Sequence, residues 1–214
     1  MSRPIAPALA LVLTTAAVAA LAAPARAEDV LQAYSGVQGA MNSGVDLPGQ
    51  SFDAHWKGES MKAPPYWGLR WTRWQGDWGW GAEITHDKVV ASDDALAGAG
   101  LDRLEFTDGL NIATVNVQRR WQQAGFTPYV GAGIGVAVPH VEVFRPEGRT
   151  YGYQLTGPAL RWFAGVSRDF TPHWLGFVEY QGTFSHNTAD LDGGGQLKTD
   201  VTTHALNLGV GYRF

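Results

Sequence analysis

Residues 66–87 read YWGLRWTRWQGDWGWGAEITHD, and their alternation decides the fold. One parity carries Trp67, Leu69 and Trp71, then Trp78, Trp80, Ala82 and Ile84. The other carries Tyr66, Gly68, Arg70 and Thr72, then Gly79, Gly81, Glu83, Thr85 and Asp87. A period of two is that of a strand, whose successive side chains point to opposite faces. Only Gln75-Gly76-Asp77 separates the runs, so they read as antiparallel strands joined by a tight turn. Large apolar side chains on one face, with glycine and charge on the other, suit a wall with lipid outside and a crowded polar lumen inside. A soluble barrel of the lipocalin kind would carry the inverse pattern, apolar within and polar outside.

The same device recurs along the chain. Ala113, Val115 and Val117 oppose Thr114, Asn116 and Gln118; Val130, Ala132, Ile134, Val136 and Val138 oppose Tyr129, Gly131, Gly133 and Gly135. Further strands are predicted over about 153–168, 174–185 and 199–214, and a first one near 30–38. The reading is all-β: an eight-stranded antiparallel transmembrane β-barrel of outer-membrane type. Short connections at 75–77, 122–125 and 169–173 then fall on the periplasmic side, and the long ones at 39–64, 91–109, 144–151 and 186–198 outside. Trp71, Trp74, Trp78, Trp121, Trp174 and Tyr212 gather near the short turns, where an interfacial girdle belongs. Side chains fill an interior of this size, so no solute pore is expected.

Residues 1–27 read as a cleaved secretory signal: Arg3, an apolar stretch from Ile5 to about Ala23, then Ala25-Arg26-Ala27 before the cut. Residues 28–214 form a single barrel domain on this reading. Cysteine is absent, which excludes a disulfide scaffold and a thiolate metal site. After residue 27 no run approaches the ~20 apolar residues of a membrane helix. A net charge of −4 without a basic cluster counts against nucleic acid as a partner.

Arg70 and Glu83 lie on adjacent strands at similar distance from their turn and share inward parity. Arg161 and Glu179 are similarly placed about the later hairpin. Both couples read as lumen ion pairs that keep buried charge satisfied. Towards the outer rim, apolar outward residues stand at even numbers up to Val138, yet Val141 and Val143 are odd. A bulge near Pro139 is therefore expected to flip the phase and turn His140 and Glu142 inward. Asp87 continues the inward parity of Glu83. The loops add Asp108, in Glu105-Phe106-Thr107-Asp108-Gly109, and Asp192, in Asp190-Leu191-Asp192-Gly193-Gly194-Gly195; an aspartate before glycine is by itself often just a turn. Gathered at one mouth, these groups make a candidate catalytic set of Asp108, His140, Glu142 and Asp87. His140, Glu142 and Asp192 make a candidate set for a divalent metal cation, since hard oxygens with imidazole can hold such an ion or act as general acid and base. Pro139 and Pro158, on neighbouring strands, each remove a ladder donor. Such a pair marks either a lateral opening for an outer-leaflet lipid or a mere kink.

The chain resembles the small outer-membrane barrel family that includes the rhizobial lipid A oxidase. The resemblance rests on Trp56-Lys57-Gly58 with Ala63-Pro64-Pro65-Tyr66-Trp67-Gly68, on Phe106-Thr107-Asp108-Gly109-Leu110-Asn111, on Pro128-Tyr129-Val130-Gly131-Ala132-Gly133 with Pro139-His140-Val141-Glu142-Val143, and on Leu191-Asp192-Gly193-Gly194-Gly195. It covers roughly residues 51–214. It implies an enzyme that oxidises the proximal glucosamine of lipid A to 2-aminogluconate, using oxygen and dependent on a divalent cation. Lipid A or lipopolysaccharide of the Gram-negative outer membrane is then the partner, met by a monomeric barrel. No flavin or nicotinamide fingerprint is present. Two alternatives stay open. One is a non-enzymatic structural or surface-interaction barrel whose loop 39–64 meets outside partners. The other is a lipid A deacylase, for which Ser185-His186 is the only serine–histidine neighbour pair; adjacent strand residues face opposite ways and cannot easily form that dyad.

Overall fold

The computed structural model describes residues 27–214, so the expected leader at 1–27 lies, but for Ala27, outside the described residues. In chain order the elements are β1 (Glu28–Ala40), β2 (Ser43–Leu47), β3 (Gln50–Ala54), β4 (Trp56–Lys57), β5 (Trp67–Gln75), β6 (Trp78–Ala91), α1 (Asp93–Ala99), β7 (Arg103–Arg120), β8 (Thr127–Arg145), β9 (Gly148–Tyr153), β10 (Gly157–Asp169), β11 (Trp174–Asp190) and β12 (Gln196–Arg213). Strands β1, β5, β6, β7, β8, β10, β11 and β12 pair in that order, and β12 pairs back to β1, closing the expected ring of eight. The extra strands occupy the expected long outer connections. The β2–β3 hairpin joins β12 through Asp46 and Val45, β4 pairs β6, and β9 pairs β8.

Strand length explains why those connections are ordered. β7, β8, β11 and β12 run 18, 19, 17 and 18 residues, whereas about 9–11 tilted residues cross a bilayer. The surplus stands outside the membrane as a continuation of the wall. Within the membrane the alternation holds: Val115, Ile134 and Leu208 are more than 60% exposed, while Arg70, Thr72, Glu83, Asn116, Gln118 and Gln181 are buried. Trp74 departs from the expected girdle. It shares the parity of Arg70 and Thr72, is buried, and receives the Arg120 guanidinium 4.3 Å from its ring.

Above the membrane the inner face changes character. Leu104, Phe106, Leu110, Ile112, Ala137, Val141, Val143, Leu197 and Val201 form one apolar cluster, joined by Val45, Leu47 and Trp56 from the first outer connection. Val141 and Val143 thus keep the inward odd parity of Gly131, Gly133, Gly135 and Ala137. The phase flip expected at Pro139 does not occur. What flips is the surrounding medium: where the wall leaves lipid and meets water, burial of apolar surface must turn inward, and the pattern becomes that of a soluble barrel. The one large irregularity lies opposite Pro139, in β7, where the four residues between Glu105 and Leu110 face the two between Glu142 and Pro139. The two prolines do not open the wall, since the β8–β10 ladder runs through Pro158↔Val136 and β7–β8 pairing includes Leu110↔Pro139.

At mid-height the lumen is closed by charge. Arg70 donates from Nε to Glu83 at 2.7 Å, and from Nη1 and Nη2 to Glu179 at 2.6 and 2.7 Å. Arg161 Nη1 reaches Glu83 at 2.8 Å. The expected Arg161–Glu179 pair is therefore replaced by a cross-lumen pair, for a reason of register. Arg70 lies directly opposite Glu83, whereas Arg161 lies opposite Thr183 and Glu179 opposite Gly165.

Candidate functional site

The irregularity in β7 builds the site. Its extra residues leave the ladder, which is how a bulge re-aims a side chain, and Gly109 closes it at φ +110°. A Cβ there would stand 2.3 Å from His86 Nδ1 and 2.6 Å from Asn111 Oδ1. Only glycine fits, on grounds of both backbone and space. We therefore expect Gly109→Ala to displace Asp108 and cost about 1–3 kcal/mol of stability; urea unfolding of the refolded barrel would measure it, and an unchanged midpoint would contradict the packing.

Asp108 so placed meets two residues of β8. His140 Nδ1 is 3.8 Å from Asp108 Oδ2 and 3.1 Å from Glu142 Oε1. One ligating atom from each of the three lies within 4.8 Å of the others. His140 and Glu142 share the even parity of Val136 and Val138, so they face outward, not inward as the sequence suggested. They are nevertheless buried, because β9 covers them. Its Tyr153 pairs with His140 and its Tyr151 with Glu142; both rings stand edge-on to the imidazole at 4.8 and 4.4 Å. Tyr153 also donates its hydroxyl to the Asp108 carbonyl at 3.0 Å. Arg103 closes the upper side, donating to Glu142 at 2.7 Å and lying 3.0 Å from Glu105. The way in is past Asp108, whose side chain is 42% exposed against 6% and 3% for His140 and Glu142.

The cluster carries three carboxylates, those of Asp108, Glu142 and Glu105, faced by the guanidinium of Arg103 and, more distantly, by the buried ammonium of Lys88, which interacts with Asp108 and Glu105. That surplus of negative charge favours a cation or a transient imidazolium. The Asp108 and then the Glu142 carboxylate push the Tyr151 hydroxyl above its ordinary value, so it stays protonated and available as a donor. The donor set of two carboxylates and an imidazole fits a hard or borderline divalent ion. Ligand bonds of about 2.0–2.2 Å put opposite donors about 4 Å apart, so modest side-chain movement would close the present spacing.

Asp87 and Asp192 stand apart from this group. Asp87 points into the lumen, fully buried, where Thr203 and Thr183 lie 3.1 and 3.4 Å from its Oδ2. Asp192 sits in the β11–β12 connection, where its carbonyl accepts from Arg145. Arg103, Tyr151 and Tyr153 escaped the sequence reading. The alternating Tyr151-Gly152-Tyr153 soon after Pro146-Glu147 was the available signal for a hairpin partner to 139–145. At the foot of the site, His86 stacks on Trp67 at 5.8 Å and lies 2.9 Å from Asn111. Immediately below begins the exposed apolar belt of Ile84, Val136 and Val115.

A family model described as outer membrane protein beta-barrel domain matches residues 8–214. Among solved structures, Neisserial surface protein A is similar over 88% of this chain and 97% of its own, at 14% identity and a TM-score of 0.51. The attachment invasion locus protein Ail of Yersinia pestis is 17% identical over 88% of this chain and 98% of its own, with a TM-score of 0.44. The N-terminal barrel of Pseudomonas aeruginosa OprF is 15% identical over 87% and 97%, with a TM-score of 0.42. At these identities the likeness is one of fold. No curated protein matches the chain.

Proposed function

The chain belongs to the outer membrane protein β-barrel domain family and lies in the outer membrane of a Gram-negative bacterium, and from that premise we propose that it modifies lipid A, oxidising the proximal glucosamine to 2-aminogluconate. The observation that carries the reading is the Asp108–His140–Glu142 cluster on the outward face of the wall, just above the apolar belt. A lipid of the outer leaflet presents its sugar headgroup at that height while its acyl chains remain against Val115, Ile134 and Val136. The substrate reaches the cluster along the outside of the barrel, and no strands need part.

On a proximal glucosamine whose anomeric hydroxyl is free, oxidation removes the hydroxyl proton together with the carbon-bound hydrogen and its electron pair, reducing dioxygen to hydrogen peroxide and leaving a lactone; water then opens the lactone to 2-aminogluconate and supplies the oxygen gained. His140, oriented through Nδ1 by Glu142, takes the proton. Asp108 stabilises the imidazolium so formed and holds a neighbouring sugar hydroxyl. Tyr151 donates to the oxygen that remains. A divalent cation held by Asp108, His140 and Glu142 would polarise the reacting hydroxyl.

Mass spectrometry of lipid A from cells with and without the protein tests this. A gain of one oxygen on the proximal sugar is the expected result. Loss of an acyl chain would replace oxidation by deacylation, and identical spectra would leave a structural or surface-interaction barrel. Asp87→Asn is expected to leave the modification intact, because Asp87 lies across the wall from the cluster; abolition of activity in a folded Asp87→Asn barrel would move the chemistry into the lumen.

A further inference from the structure

At the outer tip, the end of β8 places Arg145 in a surrounding that leaves its charge uncompensated. The residue is 9% exposed. Its hydrogen bonds, both from Nη2, go to the carbonyls of Asp192 at 3.3 Å and Gly194 at 3.2 Å, and its buried Nε has no partner. Among the described residues it forms no ion pair with a carboxylate. A buried guanidinium in that state is costly unless something else supplies the anion.

Arg145 lines a cavity of about 300 Å³ with Gln50, Gly100, Glu147, Gly193 and Gly194. Its walls are locked by contacts that only glycine allows. A Cβ at Gly193 would stand 2.4 Å from the Glu147 carbonyl oxygen, one at Gly195 2.3 Å from Pro48, and one at Gly148 2.4 Å from the Asp192 carbonyl oxygen. Gly193, Gly194 and Gly195 all have positive φ, at +88°, +95° and +80°. The Asp192-Gly193-Gly194-Gly195 run, a metal candidate from the sequence, thus serves to seat a cation of the protein's own. The resident guanidinium repels a metal ion at Asp192 and attracts the opposite charge.

We infer that this cavity binds an oxyanion borne by a saccharide, a carboxylate or phosphate on a single sugar unit. The volume lies at the small end of ligand sites, which suits one sugar and not an oligosaccharide. Arg145 supplies the positive charge and, with Nη2 committed to the two carbonyls and Nε enclosed, its Nη1 as the donor to such an oxyanion. Gln50 Nε2 gives one hydrogen to the Ala99 carbonyl at 3.1 Å, which leaves its second for the ligand. Glu147, on the rim, accepts from sugar hydroxyls and disfavours a bare anion. The site is separate from the Asp108–His140–Glu142 cluster and is independent of the reaction proposed there.

Calorimetric titration of the refolded barrel with glucuronate, glucose and inorganic phosphate tests the inference. Glucuronate should bind saturably, at about millimolar Kd, and more tightly than phosphate, with glucose not binding. Arg145→Gln should weaken glucuronate at least tenfold. Gln50→Glu, which adds a negative charge to the cavity and leaves the Arg145 hydrogen bonds in place, should do the same and guards against a loosened tip. Absence of glucuronate binding, or equal affinity in both variants, would overturn the site. Phosphate binding that exceeds glucuronate would overturn its assignment to a saccharide.

Discussion

Replacing Glu83 with alanine is expected to cost the refolded barrel about 3–5 kcal/mol, the usual result of leaving buried charge without its partner. Glu83 accepts from Arg70, Arg161, Asn116 and Tyr34 at once, and neither it nor either arginine has any exposed side-chain surface. Without Glu83, the Glu179 carboxylate already receives both terminal nitrogens of Arg70, and Arg161 is left with the more distant Asp87, with which it makes no direct ion pair. Arg161 is then the stranded ion. Pairing Glu83→Gln with Arg161→Met removes that ion and leaves the Arg70–Glu179 fork intact, so the double variant should be more stable than the sum of the single losses by about 0.5–3 kcal/mol. Urea unfolding followed by tryptophan fluorescence gives the values for Glu83→Ala, for each single variant of the pair and for the double. A loss below about 1 kcal/mol in Glu83→Ala would mean that water screens the network, and the lumen would have to be drawn as wet.

The hairpin at 66–87 could be read from its letters because both of its faces meet one medium along its whole length. Lipid lies outside Leu69 and Ile84, and polar lumen lies inside Arg70 and Glu83. In β8 the medium changes midway. Apolar residues at even numbers below Val138 and at odd numbers above it are produced equally by a bulge and by passage from lipid into water, and periodicity alone does not separate the two. Length does: β8 has 19 residues, beyond what a bilayer needs, so its outer part had to be a wall in water. Pairing partners were less legible still. Arg70–Glu83 followed from the short turn at 75–77, which fixes register, but Arg161 and Glu179 lie at unequal distances from theirs, and a one-step error in register changes every partner. The cluster required a bulge in β7 that places Asp108 beside a residue 32 positions on, a contact that no spacing within either segment reports.

Because His140 faces outward, its removal should disable the chemistry without unfolding the wall. His140→Ala is expected to slow lipid A oxidation by about 10²–10⁴-fold, the range of a lost general base. The barrel should keep its unfolding midpoint within about 1 kcal/mol, since the residue packs against the exposed rings of Tyr151 and Tyr153 and not into the apolar cluster. Glu142→Gln separates orientation from charge. It can still accept from Nδ1 but no longer stabilises the imidazolium, so it should retain more activity than His140→Ala. A chelator divides the remaining possibilities: suppression reversed by added divalent cation assigns the cluster to a metal, and full activity in chelator assigns it to proton transfer alone. Cross-linking β8 to β10 at the outer end of their ladder, where Ala137 faces Gly157, should leave activity unchanged, because the headgroup meets His140 from outside the wall. Loss of activity on cross-linking, or a folded His140→Ala barrel that oxidises lipid A at the native rate, would remove this cluster from the reaction.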